Sequence, residues 1–328
     1  MNQMIDTLGP KYTWTGASSD IHTVAWAPNG ECFAAGAVAV TDADSMQYNR
    51  ANNLAFGNTT SGVIYELGEH RIRRQKTVAG ANSTHAMYMS QDPMLYTTVS
   101  SVAFSPSGKL MYSAGYDEIV TIWDVTEGAS QPQLAQQLQH KAPVDILAVN
   151  RVLDGLIATA TKRTTDRSIK LVHFDEDTVG DQDWQRSIHN FASAKAVNRP
   201  DLNMTASALQ FDPNNGRLLL AGFGANKRED NGLDTTGDIC LWDVETRTEL
   251  QVHGSSRNVF DVTFNTRPRF QCLFAVGCVA SGNVNKGTRS VVRFYNAKGE
   301  SRVPDNLKYT CPLELECRAY DMNDIVWW

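Results

Sequence analysis

No apolar run in this 328-residue chain approaches the ~18 residues that a membrane-spanning helix needs. The opening residues, MNQMIDTLGPKYTW, lack both the basic start and the apolar stretch of a secretory signal. Cysteine is sparse: six in so large a chain, without a secretory context, do not read as a disulfide framework. The Asn-x-Thr sequons at Asn58, Asn82 and Asn203 are accordingly read as chance matches. Positive charge is not in excess either. A net charge of −6 argues against a surface that grips nucleic acid as a whole and leaves room only for a local basic patch. Together these absences predict an intracellular protein, nuclear or cytoplasmic, with no membrane contact.

Catalytic signatures are missing too. There is no P-loop, His-Glu-x-x-His or Gly-x-Ser-x-Gly sequence. GFGANK at 222–227 keeps two glycines of a dinucleotide fingerprint, but it follows a strand pattern and opens no helix. Cys272 and Cys278, like Cys311 and Cys317, are separated by five residues, whereas structural zinc prefers two to four. On a strand, that offset would set the two sulfurs ~20 Å apart. These cysteines are expected to be small buried apolar residues. The expectation is no cofactor, no metal, no small-molecule substrate and no enzyme activity.

What the chain does have is a repeat. Its 42% hydrophobic and 20% charged content is that of an ordinary globular protein. Five segments share one pattern: an apolar residue, usually β-branched, then two positions, another apolar residue, one position, and an aromatic or apolar residue. They are IHTVAW (Ile21–Trp26), VSSVAF (Val99–Phe104), VDILAV (Val144–Val149), ASALQF (206–211) and VFDVTF (Val259–Phe264). Each is followed by a second apolar run, and usually by a third that ends near a Trp-Asp pair. YDEIVTIWDV (116–125) and TGDICLWDV (236–244) are the best copies. Alternating apolar residues between turn residues predict short half-buried strands, and their recurrence every 40–60 residues predicts propeller blades.

These residues resemble the WD40 family over nearly the whole chain. The resemblance implies an all-β WD40-type β-propeller of four-stranded blades, with Trp123–Asp124 and Trp242–Asp243 closing the third strand of their blades. Tyr295–Asn296 looks like a worn third copy, with Val172–His173 and Gly57–Asn58 weaker still. Family blades carry a buried His–Ser/Thr–Asp–Trp network. By analogy blade 2 has Ser113, Asp117 and Trp123, with Leu95 where the histidine belongs. Blade 3 has His140, Thr159 and Asp166, with Val172 in place of tryptophan. On this reading no blade keeps all four members.

The length would suit about seven blades of ~40–45 residues. Only five complete sets are found within 21–321, at about 21–70, 99–140, 144–191, 206–253 and 259–320. Residues 1–20 hold one lone fourth-type strand at 11–18. Residues 322–328 match the first strand of a sixth blade, beginning at Asn323. The chain is therefore expected to be truncated or part of a longer protein. Extra length falls in insertions at 41–52, 71–96, 194–203, 225–235 and 280–288, all on connections that the family places on one face. Long loops on a rigid scaffold are where function concentrates.

HRIRRQK (70–76) begins the longest insertion, and in it His70, Arg71, Arg73, Arg74 and Lys76 occur with no acid among them. The run reads either as a solvated charged face or as a contact for an acidic or phosphorylated protein or nucleic acid. The function implied is a non-catalytic scaffold or adaptor that binds proteins in a larger assembly. The alternatives are a chromatin- or nucleic-acid-associated propeller, or a substrate receptor of a cullin-type ubiquitin ligase. Many such receptors extend the pair to Trp-Asp-x-Arg; Thr126 and Glu245 stand at that fourth position here.

Overall fold

The computed structural model describes residues 9–10, 12–41, 49–76, 78, 83–126, 131–162, 168–225, 236–254, 257–267, 273–280, 290–298, 308–318, 322 and 324–327. Five meanders of four antiparallel strands follow one another. Blade 1 is β1 (Ile21–Trp26), β2 (Cys32–Ala37), β3 (Leu54–Asn58) and β4 (Val63–Glu66). A two-stranded ribbon comes next, β5 (Arg71–Arg73) with β6 (Met94–Tyr96), and a short helix α1 (His85–Met89) lies between its strands. Blade 2 is β7 (Val99–Phe104), β8 (Leu110–Gly115), β9 (Ile119–Asp124) and β10 (Gln133–Gln139). Blade 3 is β11 (Val144–Val149), β12 (Leu156–Thr161), β13 (Ile169–Phe174) and β14 (Arg186–Phe191). After helix α2 (Ala194–Asn198), blade 4 is β15 (Met204–Phe211), β16 (Leu218–Ala225), β17 (Gly237–Asp243) and β18 (Thr248–Val252). Blade 5 is β19 (Val259–Phe264), β20 (Phe274–Val279), β21 (Ser290–Lys298) and β22 (Lys308–Cys317).

The repeat pattern has a backbone cause. In a plain strand, residues facing one side recur every two positions, yet the repeated apolar residues are spaced three and then two. In each innermost strand the pairing with the second strand shifts after the first residue of the repeat: at Ile21/Thr23, Val99/Ser101, Val144/Ile146, Ala206/Ala208 and Val259/Asp261. A bulge there inserts one residue and resets the alternation. Positions one, four and six of the repeat thereby face the same side.

That side is the preceding blade. Val99 and Val102 of β7 join Ala34 and Leu54 of blade 1 in one apolar cluster. Val144 and Leu147 pack with Tyr112 and Ile122 of blade 2, and Val259 and Val262 with Leu220 and Leu241 of blade 4. A glycine on the second strand often receives the first residue of the next blade. A Cβ added at Gly36 would come within 2.7 Å of Val99, and one at Gly222 within 2.3 Å of Val259. The innermost strands thus pack in the order β1, β7, β11, β15, β19.

Three features depart from the sequence expectation. Residues 12–17 form no strand. A fourth-type strand needs a third strand beside it, and this segment instead lies across blade 1 through its aromatic rings, with Trp14 5.4 Å from Phe33. Residues 324–327 form no strand either, and their register differs from the sequence match. Ile325 sits over Gly277, where a Cβ would lie 2.8 Å from it, while Asn323 lies outside the described residues. Its backbone N–H donates to Asp261 (2.7 Å), and Trp327 packs edge-on against Phe294. Finally, blades 4 and 5 are not separate sheets: β18 pairs in parallel with β22 at Gln251–Lys308 and Val252–Tyr309.

Candidate functional site

The connections between successive blades and those between the second and third strands of a blade lie at the same end of the innermost strands, because the strands alternate in direction. Insertions 41–52, 225–235 and 280–288 fall largely outside the described residues, so the site at this edge is built from the 71–98 insertion and what anchors it.

The anchor is His70. Contrary to the expectation of a solvent-facing residue, it is only 2% exposed. Its Nδ1 lies 3.0 Å from the Asp117 carboxylate and its Nε2 2.7 Å from Ser113 Oγ. Trp123 Nε1 donates to the same Ser113 Oγ (2.9 Å). With the Nδ1–H tautomer, one chain of donors runs from Trp123 to Ser113 to His70 to Asp117. Blade 2 therefore keeps all four members of the network, and the reading of Leu95 as the histidine position is corrected. Leu95 lies in the ribbon strand β6, where it is buried and pairs with Ile72. Spacing hid this: His140 precedes Val144 by four residues, but the whole insertion separates His70 from Val99. The family resemblance does offer His70 as the Gly-His element that ends blade 1, with Glu69 in place of the glycine, but spacing assigns the histidine of blade 2 to Leu95.

Blade 3 holds a partial copy. His140 Nε2 lies 2.8 Å from Thr159 Oγ1, and its Nδ1 faces the Leu138 carbonyl (3.1 Å). Burial, aided by the nearby Lys170 charge, pushes the His140 pKa down to about 4. Val172 is buried and offers no donor to Thr159, while Asp166 lies outside the described residues. In blade 4, Trp242 is buried and stacks on Phe191 at 5.1 Å. Asp243 accepts from Arg217 Nε (2.7 Å) and from the backbone N–H groups of Glu245 and Thr246. Asp124 accepts from the N–H and hydroxyl of Thr126, closing the turn after β9. A pairing that sequence reasoning missed is Ser193 Oγ to Asp238 (2.6 Å), which ties the connection after blade 3 to β17.

The basic run divides sharply. Arg71, Arg73 and Lys76 are exposed, as is Ile72. Arg74 is 2% exposed, so its expected place on a solvated binding surface is corrected. Its guanidinium donates to the Gln91 side chain, the Tyr88 carbonyl and the Gln91 carbonyl (2.9 Å for the last). It also lies 4.7 Å from the centre of the Tyr88 ring, and the Tyr88 hydroxyl donates back to the Arg74 carbonyl. Several hydrogen-bond acceptors and an aromatic face offset much of the cost of burying this cation, although its Nε has no hydrogen-bond partner among the described residues. Arg74 thereby clasps the two ends of the insertion together. Asn49 fixes the insertion to blade 1: its side chain donates to the Tyr96 carbonyl (2.7 Å) and accepts from the Tyr96 N–H (2.8 Å).

Among the described residues no group of three or more His, Cys, Asp or Glu side chains could hold a metal, and no helix is long and apolar enough to cross a membrane. Cys278 is buried and Cys311 and Cys317 half-buried, while Cys272 lies outside the described residues. Burial pushes the Cys278 thiol up to about 11, away from the reactive thiolate.

Residues 8–44 and 95–124 match the family profile of the WD domain, G-beta repeat. Those two segments are WD-type repeats, and the fold of the chain is that of a β-propeller. Two solved β-propellers show the fold over almost its whole length. The structure described as the Dos1 propeller is 20% identical, with a TM-score of 0.66 over 94% of this chain and 64% of that one. The Myceliophteria thermophila Cps50 (Swd1) β-propeller domain is 14% identical, with a TM-score of 0.54 over 92% of this chain and 73% of that one. The chain thus spans 64% of the length of the Dos1 propeller it matches. No curated protein matches its sequence.

Proposed function

We propose that this WD40 propeller is a non-catalytic intracellular scaffold that binds a protein partner through the 71–98 insertion. One observation carries the reading: the insertion is a built element rather than a loose loop. Its ends are clasped by Arg74, its base is locked by His70, and its side is pinned by Asn49. Internal fixation on this scale holds a surface in one shape, which lowers the ordering cost of binding. The surface so held carries Arg71, Ile72 and Arg73 on β5, with Met89 exposed on α1. Cationic rims with apolar centres suit a partner with an acidic or phosphorylated segment.

The test is association of the purified partner assembly with an Arg71→Glu/Arg73→Glu variant. Because both side chains are exposed, thermal stability should stay within about 1 kcal/mol of the parent. Association should slow at least tenfold at low ionic strength and converge with the parent at high salt, since exposed charges are screened over ~8–10 Å. Equal association rates at low salt would return Arg71 and Arg73 to a merely solvated face. Nucleic-acid binding with a steep salt slope, lost in the same variant, would favour the nucleic-acid-associated alternative.

A further inference from the structure

The ribbon at the base of the insertion has one closed edge and one open edge. Its pairing fixes which way the backbone groups face. Thr97 N–H donates to the His70 carbonyl and Arg74 N–H to the Pro93 carbonyl, both at 2.9 Å. His70, Ile72 and Arg74 therefore direct their backbone groups into the ribbon. Arg71 opposite Tyr96 and Arg73 opposite Met94 are the alternate pairs, whose N–H and C=O groups point outward. On the β6 side most of those groups are taken within the chain. The Asn49 side chain meets the N–H and the carbonyl of Tyr96 at 2.8 and 2.7 Å, and the Asp92 carboxylate accepts from the Met94 N–H at 2.8 Å. On the β5 side, among the described residues, nothing meets the N–H and C=O groups of Arg71 or Arg73. Arg71, Ile72 and Arg73 are all exposed.

We infer that the open edge of β5 binds its partner by strand addition: an extended acidic segment of another protein lies antiparallel beside Arg71–Arg73 as a third strand of the ribbon. This names the mode of recognition at the surface proposed above and rests on that reading. A strand edge with unpaired donors and acceptors is a template for a further strand. The side chains set what that strand must carry. Arg71 and Arg73 project from one face of the ribbon, with Met94 and Tyr96. Ile72 projects from the other, opposite the buried Leu95, and is itself 40% exposed. A strand in register needs a carboxylate opposite each arginine, because opposite charges on neighbouring strands stabilise their pairing. Between the two it needs an apolar residue, to extend the apolar face that Ile72 leaves half open. The motif is acidic, apolar, acidic. A second copy of the chain does not supply it. Two β5 edges paired antiparallel about Ile72 would set Arg71 against Arg73, and like charges placed opposite each other destabilise.

The test titrates the full chain into a fluorophore-labelled peptide, Ser-Thr-Glu-Val-Glu-Thr-Ser, and follows fluorescence anisotropy at low ionic strength. The backbone changes are made in the peptide, so the folding of the chain is unaffected. In the bound register the N–H of each Glu points at β5 and the N–H of Val points away. N-methylation of either Glu should therefore weaken binding by about tenfold or more, through the loss of an edge hydrogen bond. N-methylation of Val should weaken it by less than about threefold, since no bond is lost there. Equal losses at all three positions, no loss at any, or no binding of the parent peptide would overturn strand addition. So would equal binding of a scrambled peptide with the two Glu adjacent, which would reduce the contact to charge alone. The broader reading fails on a different result, unchanged association of the native partner with the Arg71→Glu/Arg73→Glu variant. A partner that needs both arginines beside a peptide indifferent to N-methylation would keep the acidic partner and reject the added strand.

Discussion

His70 and Ser113 stand 43 residues apart in the chain and 2.7 Å apart in space. Between them lies the 71–98 insertion, so the contact both completes the hydrogen-bond chain of blade 2 and closes the base of the element that interrupts it.

Replacing His70 by Ala should strip acceptors and donors from Ser113 and Asp117, both buried. Orphaned buried polar groups cost about 1–3 kcal/mol each, and a loss of roughly 3 kcal/mol is expected in denaturant unfolding. Adding Leu95→His to that variant should restore nothing, because Leu95 belongs to the ribbon. Recovery of stability in the double variant would show that the histidine position was misassigned.

Gly115 tests the same geometry sterically. A Cβ there would lie 2.5 Å from His70 Nδ1 and 2.7 Å from the Asp117 carboxylate. Gly115→Ala should destabilise by about 1–3 kcal/mol through overpacking. In the His70→Ala background the closer of the two obstacles is gone and only the Asp117 carboxylate remains, so the two losses should fall short of additivity. A double-mutant cycle with additive losses would contradict the contact.

His140 makes stability depend on pH with a defined sign. Its pKa is about 4 in the fold and near 6.5 unfolded. The unfolded chain therefore takes up a proton first as pH falls, so stability is unaffected above pH ~6.5 and declines from there toward pH ~4. At about 1.4 kcal/mol per pKa unit, the full effect is of order 3 kcal/mol. His140→Gln should flatten this part of the urea-midpoint profile between pH 7 and 4.5. An unchanged slope would mean that His140 is not held neutral.

Arg74→Ala should act locally. The clasp on Tyr88 and Gln91 opens, while the blades retain their interfaces. Limited proteolysis within 75–93 should accelerate many-fold with little change in the global unfolding midpoint, as expected for a subglobal opening. Cleavage at the parental rate would remove Arg74 from the clasp. An Arg73→Ala control, altering an exposed neighbour, should leave proteolysis unchanged.

The blades were legible in the sequence because they obey one local rule: apolar residues at positions one, four and six of an innermost strand, with a bulge accounting for the odd step. What escaped depends on contacts between distant segments. His70 was hidden because family spacing measures along the chain, and an insertion stretches that spacing without moving the side chain in space. Arg74 looked like its neighbours Arg71 and Arg73, since its burial is decided by Tyr88 and Gln91. At the end of the chain, the seat over Gly277 is taken by Ile325, two residues on from where the repeat match begins at Asn323. The parallel pairing of β18 with β22 likewise has no local signature.

The lock at His70 has a mechanical consequence. Tension applied to the insertion by a bound partner would meet the His70–Asp117 and Asn49–Tyr96 contacts before it reached any blade interface. The load would be shared by two neighbouring blades at the insertion's base, and the remaining blades would not feel it. Lengthening the loop beyond that base would add little to its closure entropy, about 0.6 kcal/mol for each doubling. The propeller can thus carry an enlarged or exchanged module at this point as a shaft carries a fitting, with its own rigidity left untouched.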